Sequence, residues 1–492
     1  MITSSGSFEV SEGLQRYQTT VSWIRGSGGD LREVGGPTAG VIGSDGRRFS
    51  FYGPLQSVVM LPVVIVPQAI APPAGDKIAK LTMALVVTPA LSAFTLVLLF
   101  ALLRRLQFSP KIALLTTAVL ALCTPLWHYS RTGQEENLIA LAWVVIMHGL
   151  LRIHSNDPRG LLWAAAGATI AVATRWSVAP VLAALGVAVL AEWVYAARIT
   201  TLADWMQVGR RMRRWRRYLG PSVLLLGIVA SLLLTYNWYR FEDPLETGYG
   251  IFFRESHIPF FVPDDAPRNA AALLVSPHRG LLWFCPAILM LGWLVKAPLD
   301  GFVRRLTWYA LAAWCTSLLF FASYSSWDGG FAWGPRFLVS DLVLLAPAFA
   351  SLFARGVRFY PLLAVSGFVQ LLSVMESSSA ENYRFSVMNA AQPGACTPWV
   401  CGCTPVCLRL PWVLRSLASV WNGTTFPMLD EGRPATNVEV LASSDYNTVY
   451  WWLVRIGART HVVSPRLALF VSVLVLCGAL VYLVRIYRQA EE

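Results

Sequence analysis

The sequence predicts an all-α polytopic membrane protein on three observations. The chain is 55% hydrophobic and only 14% charged, with a positive mean hydropathy. That excludes an ordinary soluble globule. Its apolar residues gather into long unbroken runs, whereas a barrel strand would alternate apolar and polar residues. The short loops between the runs differ in charge from one side to the other.

In chain order, 1–80 reads as an exterior segment. Within it Tyr52–Ile70 is apolar but cut by Pro54, Pro62 and Pro67, so we expect an interfacial or re-entrant helix on the outer face. A helix needs about 20 mostly apolar residues to cross the hydrocarbon core. Candidate spans follow near Leu81–Leu103, Ile112–His128, Leu138–Ile153, Leu161–Thr174, Val178–Ala197 and Pro221–Tyr239. Further ones lie near Leu281–Val295, Leu306–Phe321, Phe337–Ala354, Phe359–Met375 and Leu467–Val484, about 11 in all. The run from Leu161 to Ala197 is too long for one crossing, and Arg175-Trp176 interrupts it, which predicts two spans joined by a tight turn.

Orientation follows from the short loops. Arg104, Arg105 and Lys111, Arg152 and Arg159, Lys296, Arg304 and Arg305, Arg355 and Arg358, and Arg485 and Arg488 fall on one side, which the positive-inside rule makes cytoplasmic. The loop Arg198–Leu219 carries Arg210, Arg211, Arg213, Arg214, Arg216 and Arg217, expected to anchor the chain near anionic lipid. No nucleic-acid-binding fold accompanies the basic residues, so the net charge of +12 speaks for membrane orientation and not for a nucleic-acid partner. With the C-terminal tail inside and an odd number of spans, the N-terminus falls outside. We therefore expect either a first span upstream of this chain or a count off by one.

The transmembrane core is then 81–375, with exterior loops at 129–136, 240–280 and 323–336. An exterior loop at 376–466 precedes the last span and cytoplasmic tail, 467–492. The long loop holds Cys396, Cys401, Cys403 and Cys407. On an oxidising side these favour two disulfides of open connectivity over a zinc site, whose common spacings they do not match. Cys123, Cys285, Cys315 and Cys477 lie in spans and read as small apolar packing residues.

Ionisable groups at the bilayer boundary are costly and mark candidate sites. Five exterior clusters carry them. "FEVSEGLQRYQTTVSWI" offers Glu9 and Glu12 ahead of helical-looking sequence with Arg16 and Tyr17; "HYSRTGQEENLIALAW" places Arg131, Glu135 and Glu136 at the start of a span. Arg175 sits between two nearly uncharged spans. "TGYGIFFRESHIPFF" with "SPHRGLLWFCP" supplies Tyr249, Arg254, His257, His278 and Arg279, and "SYSSWDGGFAWGPRFL" supplies Trp327, Asp328, Trp333 and Arg336. Each has an ordinary explanation: a solvated loop charge, acids at a helix N-terminus, a snorkelling arginine, or belt tryptophans. Together they bring base-competent carboxylates and phosphate-competent arginines to one water–lipid boundary.

The chain resembles bacterial membrane glycosyltransferases of the C-type (GT-C) superfold, in the broad family-39 group of protein mannosyltransferases and lipid A aminoarabinose transferases. The likeness runs from about Ser7 to Ala354. "SEGLQRYQTTVSWI" is similar to the family's first exterior loop, and "SDGRRFSFYGPLQSVVMLPV" to the segment leading into its interfacial helix. "SRTGQEENLIALAW" resembles the second acidic motif, and "WDGGFAWGPRFL" and "SPHRGLLW" look like turns before later spans.

The resemblance implies sugar transfer from a polyprenyl-phosphate-linked donor to a lipid, glycan or protein acceptor. It places this at the periplasmic or outer face of a bacterial cytoplasmic membrane, by inverting displacement. It puts the catalytic base on Glu12, with Glu9 second, in glutamate where relatives commonly have aspartate. It also implies Glu136 as the second carboxylate, and Arg336, Arg279 and Arg175, in that order, as phosphate contacts. Tyr249, His278 and Asp328 join the substrate loops. We expect no cofactor and no metal. A lipid-linked glycan ligase or polymerase, a transporter or flippase of lipid-linked substrates, and a catalytically inactive binding subunit stand as the other readings.

Overall fold

The computed structural model describes residues 1–4, 6, 8, 11–34, 40–71, 74–197, 202–296, 301–330, 332–377, 399, 405–423, 449–460 and 462–490. It is 76% helical, which makes it an all-α chain whose only described sheet is one small hairpin, Val41–Ile42 paired antiparallel with Arg48–Phe49. The first helices are α1 (Ser11–Ile24), α2 (Leu55–Ile70), α3 (Gly75–Arg105, passing through a π turn at Met83–Val87) and α4 (Pro110–Leu122). They are followed by α5 (Glu136–His154), α6 (Gly160–Thr174), α7 (Ala179–Ala197) and α8 (Leu202–Phe241). Two short helices come next, α9 (Tyr249–Glu255) and α10 (Ala266–Val275). The chain continues through α11 (Gly301–Ala322), α12 (Arg336–Ala354), α13 (Tyr360–Met375), α14 (Pro405–Asn422), α15 (Trp452–Thr460) and α16 (Pro465–Gln489).

Among the described residues, five helices are long and apolar enough to cross a membrane: α3, α5, the Trp215–Phe241 part of α8, α12 and α16. α2, α4, α6, α13 and the stretch Trp176–Ala191 are apolar but shorter, at 10–17 residues. The sequence runs and the helices part company where proline and glycine act. The run at Leu281–Val295 is a four-residue helix, Leu281–Phe284, followed after Cys285 by a 3-10 stretch from Pro286, because Pro286 lacks the N–H that would continue the α pattern. The run at Ile112–His128 breaks after Leu122, ahead of Pro125. In contrast, the arginine-rich stretch expected as a loop is the first part of α8, since arginine is a good helix former.

The bundle is centred on α5 and α12. In their apolar windows 72% and 89% of residues are buried, against 11% for Trp215–Phe241 and for α16, so the last two present apolar surface outward as a lipid-facing helix does. α5 packs closely on α6 through small residues. A Cβ built on Gly167 would lie 2.6 Å from Ile146 Cγ1 and 2.7 Å from the Ala142 carbonyl, and glycine permits this approach of two backbones. Gly167→Leu is therefore expected to cost about 1–3 kcal/mol by overpacking. It should lower the thermal unfolding midpoint measured in detergent. Gly186→Leu, at an exposed position with nothing within 4 Å of its Cβ direction, should leave that midpoint unchanged.

The proline-cut apolar segment is helical from Leu55 to Ile70. α2 carries Pro62 and Pro67 and buries Gln56, Ser57, Met60 and Val64. Tyr17 and Val21 of α1 and Ala79 and Met83 of α3 complete that cluster. Tyr17 donates to Asp76 Oδ1 at 2.7 Å, and Asp76 also pairs with Lys80. α1 is thereby fixed against the start of α3. Between α13 and α16, α14, α15 and Trp399 are described, and Cys407 is disulfide-bonded. Cys396, Cys401 and Cys403 lie outside the described residues. Of the span cysteines, Cys285 is buried and Cys123 half-buried, while Cys315 and Cys477 are exposed on the protein surface.

Candidate active site

Four local structures deliver charge to one point at one end of the central helices. α1 supplies Glu12 and Arg16, four residues apart and therefore on one helix face. The start of α5 supplies Glu135 and Glu136, where the positive end of the helix favours anions. Arg175 stands in extended conformation (φ −149°) between α6 and the 3-10 turn Trp176–Val178, and so directs its side chain off both helices. Arg336 opens α12.

A cation at a helix N-terminus is disfavoured by the same macrodipole that favours the two glutamates, so Arg336 needs carboxylates to hold it there. The turn before it is built for close approach. Gly334 has φ +70°, and a Cβ on it would meet Phe284 Cγ at 2.9 Å. Arg104 and Arg105 end α3, Arg152 lies in the last turn of α5, and Arg355 follows α12. Roughly 25 Å of helix separates the site charges from this basic rim, close to the thickness of a bilayer core.

The side chains interlock. Arg336 Nε donates to Glu136 Oε1 at 2.7 Å, its Nη1 donates to Glu12 Oε1, and its Nη2 lies 3.7 Å from Glu135 Oε1. Arg175 donates from Nε to Glu135 Oε1 at 2.5 Å and from Nη2 to Glu136 Oε1 at 2.7 Å. Arg16 Nη2 is paired with Glu135 Oε2. Gln134 Nε2 donates to the second oxygen of Glu12 at 2.9 Å. Three carboxylates and three guanidiniums thus cancel formally, which is what makes their burial tolerable. Glu135 and Glu136 are 3% and 0% exposed, whereas Glu12, at 17%, is the most open carboxylate of the three. Glu136 Oε2 and the Nε and Nη1 of Arg16 have no hydrogen-bond partner among the described residues.

Beside this network lies a cavity of about 250 Å³. Arg175 and Glu135 contribute to its lining, and its walls are aromatic, including Phe51, Tyr52, Trp176, Tyr249, Phe260, Phe320, Tyr324 and Phe337. Arg16 stacks on the Tyr52 ring at 4.2 Å, so the network and the wall share a side chain face. Burial pushes the Tyr52, Tyr249 and Tyr324 phenols above their ordinary range, and the charge of Glu12 adds to it. These hydroxyls stay neutral. Burial also weakens Arg16's hold on its proton, opposed by Glu12.

Of the residues singled out in the sequence, Glu12, Glu136, Arg175 and Arg336 converge, and Tyr249 lines the adjoining cavity. Glu9 lies outside the described residues. Arg279 is next door but engaged: its Nη2 donates to the Gly330 carbonyl at 2.5 Å and its Nη1 to the Ala332 carbonyl. It clamps the turn that leads to Arg336. Asp328, in the same turn, accepts from the Gly330 N–H at 3.2 Å. Arg16 and Glu135 belong to the network although neither stands among the site residues drawn from the sequence. The four-residue spacing of Glu12 and Arg16 on a helix was the signal for the first. Among the described residues no group of three or more His, Cys, Asp and Glu side chains could hold a metal.

His278 reports on the clamp. Burial and then the charge of Arg279 push its imidazole down to about 4 from an ordinary 6.5, against an opposing pull from Asp328. A base held neutral in the fold takes its proton first in the unfolded chain, so folded stability falls as the pH drops from about 6.5 towards 4. His278→Gln should remove part of that decline. The check is the difference in thermal midpoint between the two proteins from neutral pH to pH near 4.5, expected to widen by several degrees on acidification.

Compared with protein-family models, curated proteins and solved structures, the chain matches none.

Proposed function

We propose that the protein transfers a sugar from a polyprenyl-phosphate-linked donor to an acceptor hydroxyl at the outer face of the cytoplasmic membrane, as a GT-C-like bundle of about 11 spans. The observation that carries this is the buried ion network meeting an aromatic cavity at Arg175 and Glu135, with Glu12 as the most open carboxylate of that network. A transporter site would be expected near the middle of its spans, between broken helices. These charges sit instead at helix ends, where a lipid-linked phosphate and a water-borne acceptor meet.

In this mechanism Glu12 accepts the proton of the acceptor hydroxyl as its oxygen forms a bond to the anomeric carbon. The bond from that carbon to the phosphate oxygen breaks, and the polyprenyl phosphate leaves with the electron pair. Its charge is met by Arg175 at the cavity. Because the six charges already cancel, the arriving phosphate competes for an arginine. The exchangeable contact is Arg336 with Glu12, since Glu12 is the more open partner. Donor binding thereby frees the base. Glu136, held by Arg336 and Arg175 at 2.7 Å each, positions both arginines.

The test is purified protein in sealed vesicles supplied with polyprenyl-phosphate pentoses and hexoses, with products read by mass spectrometry and donor movement across the bilayer followed in parallel. Transfer is expected. Movement of the donor without transfer overturns the proposal.

A further inference from the structure

A second cavity, of about 340 Å³, lies on the other side of the aromatic wall. The wall is two chain segments thick and is held by backbone pairing. Val262 N donates to the Ser323 carbonyl at 2.7 Å, and Ser325 N donates to the Phe260 carbonyl at 3.2 Å. Phe260 and Tyr324 line the first cavity, while Pro259, Val262 and Ser325 line the second. Ser325 of the second cavity's lining directly follows Tyr324 of the first, whose phenol feels the charges of Arg336, Arg175 and Glu12.

The lining has a definite chemistry. Trp327 packs among the side chains around Leu273, Leu318, Ala322 and Leu338, which fixes its ring, and Trp399 is 45% exposed. Asp265 and Arg268, both exposed, stand three residues apart around the start of α10 and bring opposite charges to the lining. Asn269 is buried, and its Nδ2 donates to the Ala322 carbonyl at 2.9 Å, which orients its oxygen. Two large aromatic faces with a carboxylate, a guanidinium, an amide oxygen and a serine hydroxyl suit a neutral ligand that is apolar on its faces and hydroxylated on its edges. A pyranose ring is that ligand, presenting axial C–H groups to an indole and hydroxyls to the polar side chains. The volume falls in the range of ligand pockets, about 300–1,000 Å³.

We propose that this cavity holds the outer sugars of a neutral glycan acceptor, which stack on Trp327 and Trp399 and hydrogen-bond to Asp265 and Arg268, while the reacting hydroxyl lies across the wall at Glu12. The inference rests on the transferase reading for the meaning of "acceptor", but the binding itself does not.

Two measurements keep them apart. In the first, the full chain in nanodiscs is titrated with maltotetraose, mannotetraose and chitotetraose, following tryptophan fluorescence and heat. At least one is expected to bind in the millimolar range or tighter, and to lose tenfold or more in affinity in Trp399→Ala and in Asp265→Ala/Arg268→Ala. In the second, transfer from the polyprenyl-phosphate donor is measured with the oligosaccharide that binds. The same variants should raise the acceptor KM tenfold or more with the donor KM unchanged. Trp327→Ala serves as a third variant, but Trp327 also packs against the core, so the exposed substitutions decide.

Binding that is lost in the variants, in a protein that performs no transfer, upholds the glycan site and sinks the transferase reading. Transfer whose acceptor KM stays within twofold in both exposed variants overturns the site and leaves the reading standing. No binding by any of the three oligosaccharides, or binding of a serine- and threonine-containing peptide in their place, also overturns it.

Discussion

Arg336→Met is expected to destabilise the folded protein by about 3–5 kcal/mol, because it leaves buried carboxylates without the cation they share. Arg336 is 4% exposed and reaches Glu12, Glu135 and Glu136 at once. Once it is gone, Glu136 keeps only Arg175, and its other oxygen already has no hydrogen-bond partner among the described residues. The double variant Arg336→Met/Glu136→Gln should recover part of the loss, since it removes an uncompensated charge along with its partner. Arg336→Lys should fall between the wild type and Arg336→Met: it keeps the charge but cannot bridge several carboxylates with one rigid fork. The measurement is thermal unfolding in detergent, with monodispersity as a second readout. An Arg336→Met protein as stable as wild type would mean that the carboxylates are not held as described.

Much of this site was legible in the sequence, for reasons that can be traced residue by residue. A carboxylate or arginine next to a long apolar run is conspicuous because it is costly there. That is why Glu136, Arg175 and Arg336 stood out, whereas Glu12, in a mixed polar helix, stood out through the family resemblance of its loop. What sequence spacing does not convey is where each guanidinium points. Arg279 and Arg336 look alike as lone arginines before an apolar stretch, yet one is bound by the carbonyls of Gly330 and Ala332 and the other by carboxylates.

Fold class was equally open to composition, and helix limits were not. Hydropathy averages over Pro286 and Pro125, each of which marks a break in a helix. It also stops at the arginines of α8, which continue that helix. The joint between α6 and α7 was readable because a charge and a change of backbone conformation coincide at Arg175.

Glu12→Gln is expected to reduce sugar transfer by about 10²–10⁴-fold, the usual contribution of a positioned base, while leaving the fold intact. The amide keeps the shape of the carboxylate, and its oxygen can still accept from Arg336, while Gln134 can turn its own amide to accept from the new N–H₂. Glu12 is also the least buried acid of the network, so losing its charge disturbs the others less than losing Arg336 would. Because Glu12 also holds Arg336, loss of activity alone would not separate a base from a positioning group. Three further readings do. Donor KM should stay the same or fall in Glu12→Gln, since the phosphate no longer competes with a carboxylate for Arg336. Glu12→Asp, with the carboxylate drawn back by one methylene, should retain a small fraction of the rate. Glu12→Ala should regain activity when formate or azide is supplied, because a small anion can then take the proton from the acceptor hydroxyl in the space left open. A Glu12→Gln protein that transfers sugar at the wild-type rate would remove Glu12 from the chemistry and leave it as a clasp on Arg336.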